Sequence, residues 1–406
     1  MANGMGSLMV GATGLRSSQT ALNTTAHNLS NVNTEGYTRQ QITFADSTYA
    51  NVFSKSLNKG KYGLGVDIDA ISRIRNEFID RSYRTESSRL GFYESQANAV
   101  YEVEDWFGEM QGVTYQEHIT NLYNAVNELT KNPTSTIARS SLIQNATAFI
   151  DRSEAIYSGL KDYQVTLNTE VNNMVEKINS LGQKIYNLNK GIVKVEAEGV
   201  ERANDLRDSR DLALDELSKY IDIDYYETKD GEVIVSAENV PFITKNDIAK
   251  MSVREEGTYG LLIPQWEGYQ QDVYNFDKQA NNANDTDKGK LKGLLIARGV
   301  IEVNYTDIPV MPERADYDLT TEQGMAEYNS AMDAYQQKQD YYNKYIEPSA
   351  ILSAIAGFDK LVNGIVTAMN DVLCPETTMD TTKELTDADG NILKACLLYT
   401  SPSPRD

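Results

Sequence analysis

The sequence is poor in the residues that do chemistry. Of 406 residues, two are cysteine and two are histidine. Cys374 and Cys396 are too few for a disulfide framework, and they match no Cys-x-x-Cys metal or redox spacing. His27 and His118 fall on separate predicted helices, with no cysteine nearby and no second histidine at i+4. They read as polar helix residues rather than as metal ligands or a catalytic base. Positive charge is also scarce: 38 basic residues against 59 acidic leave a net charge of −21. Nucleic acid and anionic membranes both need clustered Lys and Arg, so neither nucleic-acid binding nor membrane insertion is expected. No apolar run reaches the roughly eighteen residues of a membrane span, and Met1 to Leu15 lacks the basic start, apolar centre and cleavage site of a secretory signal. Export, if it occurs, needs a specialised apparatus. No phosphate-binding glycine loop is present, and the pairs Asp285/Asp287 and Asp387/Asp389 lack the further ligand positions and closing Glu of an EF-hand. No cofactor, metal or catalytic residue is expected.

What the sequence does have is helical periodicity. From Ile143 to Val195 one ladder runs unbroken, with Ile143, Ile150, Tyr157, Gln164, Val171, Ile178, Ile185 and Ile192 at a. Ala146, Ser153, Leu160, Leu167, Met174, Leu181, Leu188 and Val195 stand at d. Steps of three and four over this length predict a helix of roughly 80 Å in a coiled-coil seam. Ile at a with Leu at d suits a parallel dimer. The flanking positions Val175, Lys177, Gly182, Lys184, Asn189 and Gly191 carry no complementary charge, however, and small or apolar flanks widen the stripe for neighbours within one chain. The expected bundle core is Leu167, Val171, Met174, Ile178, Leu181, Ile185, Leu188 and Ile192. Its expected partners are the stripes Tyr115, Ile119, Leu122, Val126, Leu129 and Ile351, Ile355, Phe358, Val362, Ile365, Met369, Val372. Lys131-Asn132-Pro133-Thr134-Ser135 supplies a short antiparallel turn, and Pro348 suits the first turn of the last of these helices.

A second ladder occupies the first thirty residues: Leu8, Leu15, Leu22 and Leu29 repeat every seven. Gly4, Gly6, Gly11 and Gly14 each cost roughly 1 kcal/mol against Ala, so this helix should be marginal until it packs against something. Short extended segments follow at Tyr37 to Phe44 and Gly63 to Ile74.

Further along, Ala203 to Asp211 holds several acids and arginines. An acid–base or phosphate site is one reading; surface pairs worth a few tenths of a kcal/mol are the plainer one. Ile221 to Ile243 switches to period two around Lys229-Asp230-Gly231-Glu232, a hairpin signal. Tyr259 to Trp266 and Leu291 to Val300 are candidate strands, and the Asn-rich stretch Ala280 to Lys290 is an expected exposed loop. Met325, Tyr328, Met332, Tyr335, Gln339, Tyr342 and Ile346 step at helical spacing, which favours core over a ligand site.

Specific motifs carry a resemblance. Gly14-Leu15, Gln19, Ala21-Leu22-Asn23 and the run His27-Asn28-Leu29-Ser30-Asn31-Val32-Asn33-Thr34-Glu35-Gly36-Tyr37-Thr38-Arg39-Gln40 resemble the N-terminal signature of the bacterial flagellar axial proteins, which include rod, hook and hook-associated subunits. Gly63-Leu64-Gly65-Val66, Ile71, Arg73, Phe78-Ile79-Asp80 and Tyr83-Arg84 resemble the hook-filament junction branch. Asn204-Asp205-Leu206-Arg207-Asp208-Ser209-Arg210-Asp211 resembles that branch as well. The resemblance implies an exported, extracellular structural subunit of the flagellum that assembles with copies of itself as a ring on a helical lattice. It also implies hook protein, the next hook-associated protein and an export chaperone as partners. An assembly interface is then expected at Leu8, Leu15, Leu22, Leu29, Asn28, Asn31, Asn33, Gly36 and Tyr37. The alternatives are a hook or rod subunit and, more remotely, a carboxylate-dependent wall hydrolase.

The expected fold is mainly α and elongated: a long antiparallel, coiled-coil-like helical bundle with an N-terminal assembly helix and a mixed α/β outer domain. The expected units are residues 1–50 for the axial helix and turn, 51–220 with the returning helix 348–373 for the bundle, and 221–346 for the outer domain with a helical insertion. Residues 374–396 would begin an incomplete further portion. The family's C-terminal heptad helix is not found, and 397–406 resemble translated vector sequence, so a monomer is expected.

Overall fold

The computed structural model describes residues 2–52, 60–108, 114–197, 202–257, 260–276 and 280–373. The expected units 374–396 and 397–406 lie outside the described residues. One helix, α4 (Thr136–Glu196), organises the rest. At 61 residues it is about 90 Å long. Ser135 caps it, its Oγ accepting from the Ala138 N–H at 3.3 Å. Its buried stripe runs Ala138, Leu142, Ala146, Phe149, Ser153, Ile156, Leu160, Gln164, Leu167, Val171, Met174, Ile178, Leu181, Ile185, Asn189, Ile192. That stripe advances about 3.6 residues per step, the period of a straight helix, and this corrects the strict heptad expected from the sequence. The mismatch accumulates towards both ends: Ile143 and Val195 are exposed and Leu188 is only half-buried, while Phe149 and Ile156 take the core positions.

Among the helices packed along α4 are α2 (Glu77–Phe107), α3 (Tyr115–Lys131), α5 (Asn204–Tyr220) and α8 (Ala350–Leu373). All four belong to the same chain. Two antiparallel three-stranded sheets lie against its side. In one, β6 (Val233–Ala237) sits between β5 (Ile223–Glu227) and β7 (Val240–Ile243); in the other, β9 (Leu261–Trp266) sits between β8 (Met251–Glu256) and β10 (Gln271–Asp272). Residues 221–346, expected as an outer unit, thus share one continuous core with the shaft.

Three asparagines on α4 fasten the sheets by acting as strand edges. Asn168 donates to Gly260 O (2.9 Å) and accepts from Leu262 N (2.7 Å). Asn179 pairs in the same two-way manner with Met251, and Asn189 with Val233. They recur about every three turns on one side of the helix, so each satisfies backbone groups a neighbouring strand would otherwise have to pair. Gly182 and Gly159 permit close approach elsewhere: a Cβ would meet the Phe242 ring at 2.5 Å and the Trp106 ring at 2.4 Å.

Three further expectations are corrected. Leu291 to Val300 is not a strand but contains α6 (Lys290–Arg298), flanked by Gly289 and Gly299 in the left-handed region. A short apolar run does not distinguish strand from helix; buried Leu291, Leu294, Leu295 and Arg298 have helical spacing. The stretch Ala280 to Lys290 is not wholly exposed, because Asp287 and Lys288 are buried and the Tyr93 hydroxyl donates to Asp287 Oδ2 at 2.9 Å. The Tyr-rich stripe is not core. It forms α7 (Glu322–Tyr341), where only Gly324 is buried, followed by a π-helical turn, Tyr342–Ile346, whose Ile346 reaches the shared core. By length and composition α8 could cross a membrane, yet Ile351, Leu352, Ile355, Ala356 and Phe358 belong to the buried core.

Candidate functional site

The N-terminal helix, α1 (Ala2–Ser30), packs with an unusual polarity. The half-buried and buried positions Thr13, Ser17, Thr20, Ala21, Thr24 and Asn28 step by three and four along one face. That face lies on a hairpin made by β1 (Gln40–Asp46) and β4 (Val66–Arg73), which pair antiparallel with a bulge at Thr43/Phe44. A second, short pair, β2 (Tyr49–Val52) with β3 (Gly60–Gly63), extends the hairpin. The Thr13 and Ser17 hydroxyls donate to Leu64 O and Val66 O, each at 3.4 Å. Gly65, at φ +112°, lets the backbone come so close that a Cβ would collide with Thr13 Oγ1 at 2.1 Å. The leucines point the other way: Leu8, Leu15, Leu22 and Leu29 are 74%, 77%, 64% and 74% exposed. A helix that buries threonine and serine while exposing a leucine row inverts the usual pattern of a surface helix.

The turn after α1 is closed by its own side chains. The Tyr37 hydroxyl donates to Asn28 Oδ1 at 2.7 Å and stands 2.9 Å from His27 Nδ1. Asn28 also pairs both ways with the Gln40 backbone at 2.9 Å, starting β1. Asn31 accepts from the Thr34 hydroxyl at 3.1 Å, and Gly36 turns the chain at φ +78° directly over Leu212 of α5. Asn33 is exposed at the turn. Asn28, Asn31, Gly36 and Tyr37 are therefore brought together, and the four leucines form a separate outer face.

From this turn, α5 receives the axial unit through a polar joint. Asp208 Oδ2 accepts from the Thr38 N–H at 3.0 Å, and Arg73 Nη1 bonds both Asp208 (2.8 Å) and Asp211 (2.7 Å). Asn204 donates to Ile71 O at 2.9 Å. Arg75 reaches Asp80 at 2.6 Å, Asp215 at 3.4 Å and Asp211 at 3.5 Å; Arg84 of α2 holds Asp215 at 2.6 Å. Behind these, Arg210 is 1% exposed and bonds Gly231 O, Asn189 Oδ1 and Glu227, while Arg207 grips Glu196 through two 2.8 Å bonds. The expectation of mere surface pairs in this segment is thereby corrected: the partners are far apart in sequence, and Asn204, Asp208, Arg210 and Asp211 are buried.

The electrostatics follow from this geometry. Burial works against an ionised Asp211, but Arg75 and Arg73 beside it outweigh that and hold its pKa below the ordinary carboxylate value. Burial also works against charge on Arg75, and Asp211 and Asp80 keep it charged. The Tyr37 phenol is raised by burial and by the charges of Asp208 and Asp205. Carboxylates locked as acceptors by arginine suit a mechanical joint, not proton transfer. Among the described residues no group of three or more His, Cys, Asp and Glu is placed to hold a metal.

Of the expected bundle-core residues, Leu167, Val171, Met174, Ile178, Leu181, Ile185 and Ile192 are buried and Leu188 is half-buried. The sequence reading missed the joint itself: Thr38, Arg73, Arg75, Arg84 and Asp215. A signal was there. Arg73 ends β4 and Arg75 follows two residues on in the link to α2, while Asp208, Asp211 and Asp215 step by three and four on one helix face.

Residues 100–333 match the family described as "Flagellar hook-associated protein FlgK helical domain". Residues 8–38 match "Flagella basal body rod protein". Flagellar hook-associated protein 1 of Bacillus subtilis (strain 168) is 30% identical over 310 residues, which is 74% of this chain and 61% of that protein. The Salmonella typhimurium protein of the same name is 26% identical over 213 residues, 52% of this chain and 37% of that one. The flagellar hook junction protein FlgK from Burkholderia pseudomallei aligns at TM-score 0.42 and 20% identity, covering 53% of this chain and 38% of that chain. The chain thus spans less than two thirds of the length of the relatives it matches.

Proposed function

Because the chain belongs to the family of flagellar hook-associated proteins with a FlgK helical domain, we propose that it is a structural, non-catalytic subunit that joins hook to filament. Its partners on this reading are neighbouring copies in a ring or helical lattice, hook protein, the next hook-associated protein and an export chaperone. It works outside the cell, exported without cleavage of a signal peptide. The observation that carries the reading is the inverted polarity of α1: Leu8, Leu15, Leu22 and Leu29 face solvent from a helix anchored by its small polar face. An exposed leucine row of this kind marks a surface suited to cover by another helix. The turn Asn28, Asn31, Asn33, Gly36 and Tyr37 sets the angle at which α1 leaves the body. The rod-type match over residues 8–38 supports a hook or rod subunit only for that segment. The helical-domain match from residue 100 onwards favours the junction.

Complementation tests this. A strain lacking its junction protein, given the full-length gene, should regain filaments; the Leu15→Asp/Leu22→Asp variant should be exported yet leave hooks that shed filament subunits. Shedding with the unaltered gene, or normal filaments with the variant, would contradict the proposal. Peptidoglycan turnover lost on an Asp208→Asn substitution would favour the hydrolase reading instead.

A further inference from the structure

The axial unit and the body are held together by different physics. Among the described residues, none of the axial unit up to Arg73 belongs to the continuous hydrophobic core. Residues up to Arg73 meet the body through Thr38, Gln40, Ile71 O and Arg73, facing Asn204, Asp205, Asp208 and Asp211. The apolar contact there, Leu212 beneath Gly36, is small. The covalent link between the two is the short segment Ile74-Arg75-Asn76, before α2 begins. Breaking such a seam parts mainly hydrogen-bonded and charged groups, so it lacks much of the hydrophobic cost that keeps packed helices together.

The joint also contains spare partners. Asp211 is shared by Arg73 of the axial unit with Arg75 and Arg84, and the latter two contact Asp215 as well. If Arg73 leaves, Asp211 keeps two guanidinium groups and Asp208 regains water. No charge is left buried and unpaired, the outcome that makes breaking most buried ion pairs so costly. Arg75 itself stays on the body side through its 2.6 Å bond to Asp80.

We infer that Arg73 with Asp208 and Asp211 forms an ionic latch, and that the unit of residues 2–73 changes its angle to the body by opening this latch about residues 74–76, without unfolding either part. The latch is a property of the single chain; only its use, fitting α1 to unlike neighbours on the two sides of a junction, rests on the proposed function.

Electron-resonance distance measurements on the full chain test it. Spin labels go on Ser18→Cys and Lys184→Cys, both exposed, with Cys374→Ala and Cys396→Ala. The latched protein should give one narrow distance distribution. Arg73→Gln and Asp208→Asn should each broaden it at least twofold, with helical circular dichroism and the cooperative melt of the body retained. An unchanged narrow distribution in both variants would overturn the latch, as would loss of the body's cooperative melt in either. Because no partner is present, these outcomes are independent of the complementation result.

Discussion

The shaft and the axial helix are both long helices with a seven-residue leucine or isoleucine rhythm, yet they bury opposite faces. On α4 the apolar row is inside, against helices and sheets of its own chain, and Ile178 and Ile185 are fully buried. On α1 the apolar row is outside and threonine and serine face the hairpin. The same rhythm therefore means a finished core in one place and an unfinished seam in the other. What separates them is the supply of partners within the chain, not the row itself.

Substitutions can break or sharpen this contrast. The largest effect belongs to the finished core: Ile178→Ala should cost about 2–5 kcal/mol in urea unfolding, through lost burial plus a cavity. Gly159→Ala comes next, since its Cβ would overlap the Trp106 ring; overpacking of this kind costs about 1–3 kcal/mol. A smaller, pH-dependent effect should appear at Glu238, whose carboxyl is pushed up to about 7 by burial, against the pull of Lys292 and with the help of Asp222. A folded value raised above that of the unfolded chain means full stabilisation in acid, lost as pH rises through about 7. Thermal melts of Glu238→Gln should accordingly show a gain over the parent at alkaline pH and little difference below the unfolded value of 4.5. The smallest effect belongs to the unfinished seam: Leu15→Ala should change the stability of the isolated chain by under ~0.5 kcal/mol. An equal loss at Leu15 and Ile178 would erase the contrast.

Local signals in the sequence carried well where partners are near or periodic. The apolar stripe of α4, the Asp230-Gly231 hairpin and the turn at Asn28 to Tyr37 follow from spacing and turn chemistry. The heptad reading of α4 failed at its ends because 3.5 and 3.6 diverge by about 20° per heptad, enough over this length to turn Ile143 out and Phe149 in. The Tyr-rich stripe of α7 failed for a different reason: periodicity shows which residues share a face, and not whether anything lies opposite. The joint was hardest. Arg73 and Asp208 are 135 positions apart, and their short sequence neighbourhoods look like ordinary charged helix and strand, so only the fold brings the arginines onto the aspartate row.

Hydrogen exchange of backbone amides in the isolated chain tests the central claim most directly. If α1 is an unfinished seam, amides from Leu15 to Leu29 should exchange through local opening, orders of magnitude faster than those from Leu167 to Ile185, which should need global unfolding. Equal protection of the two helices would contradict it.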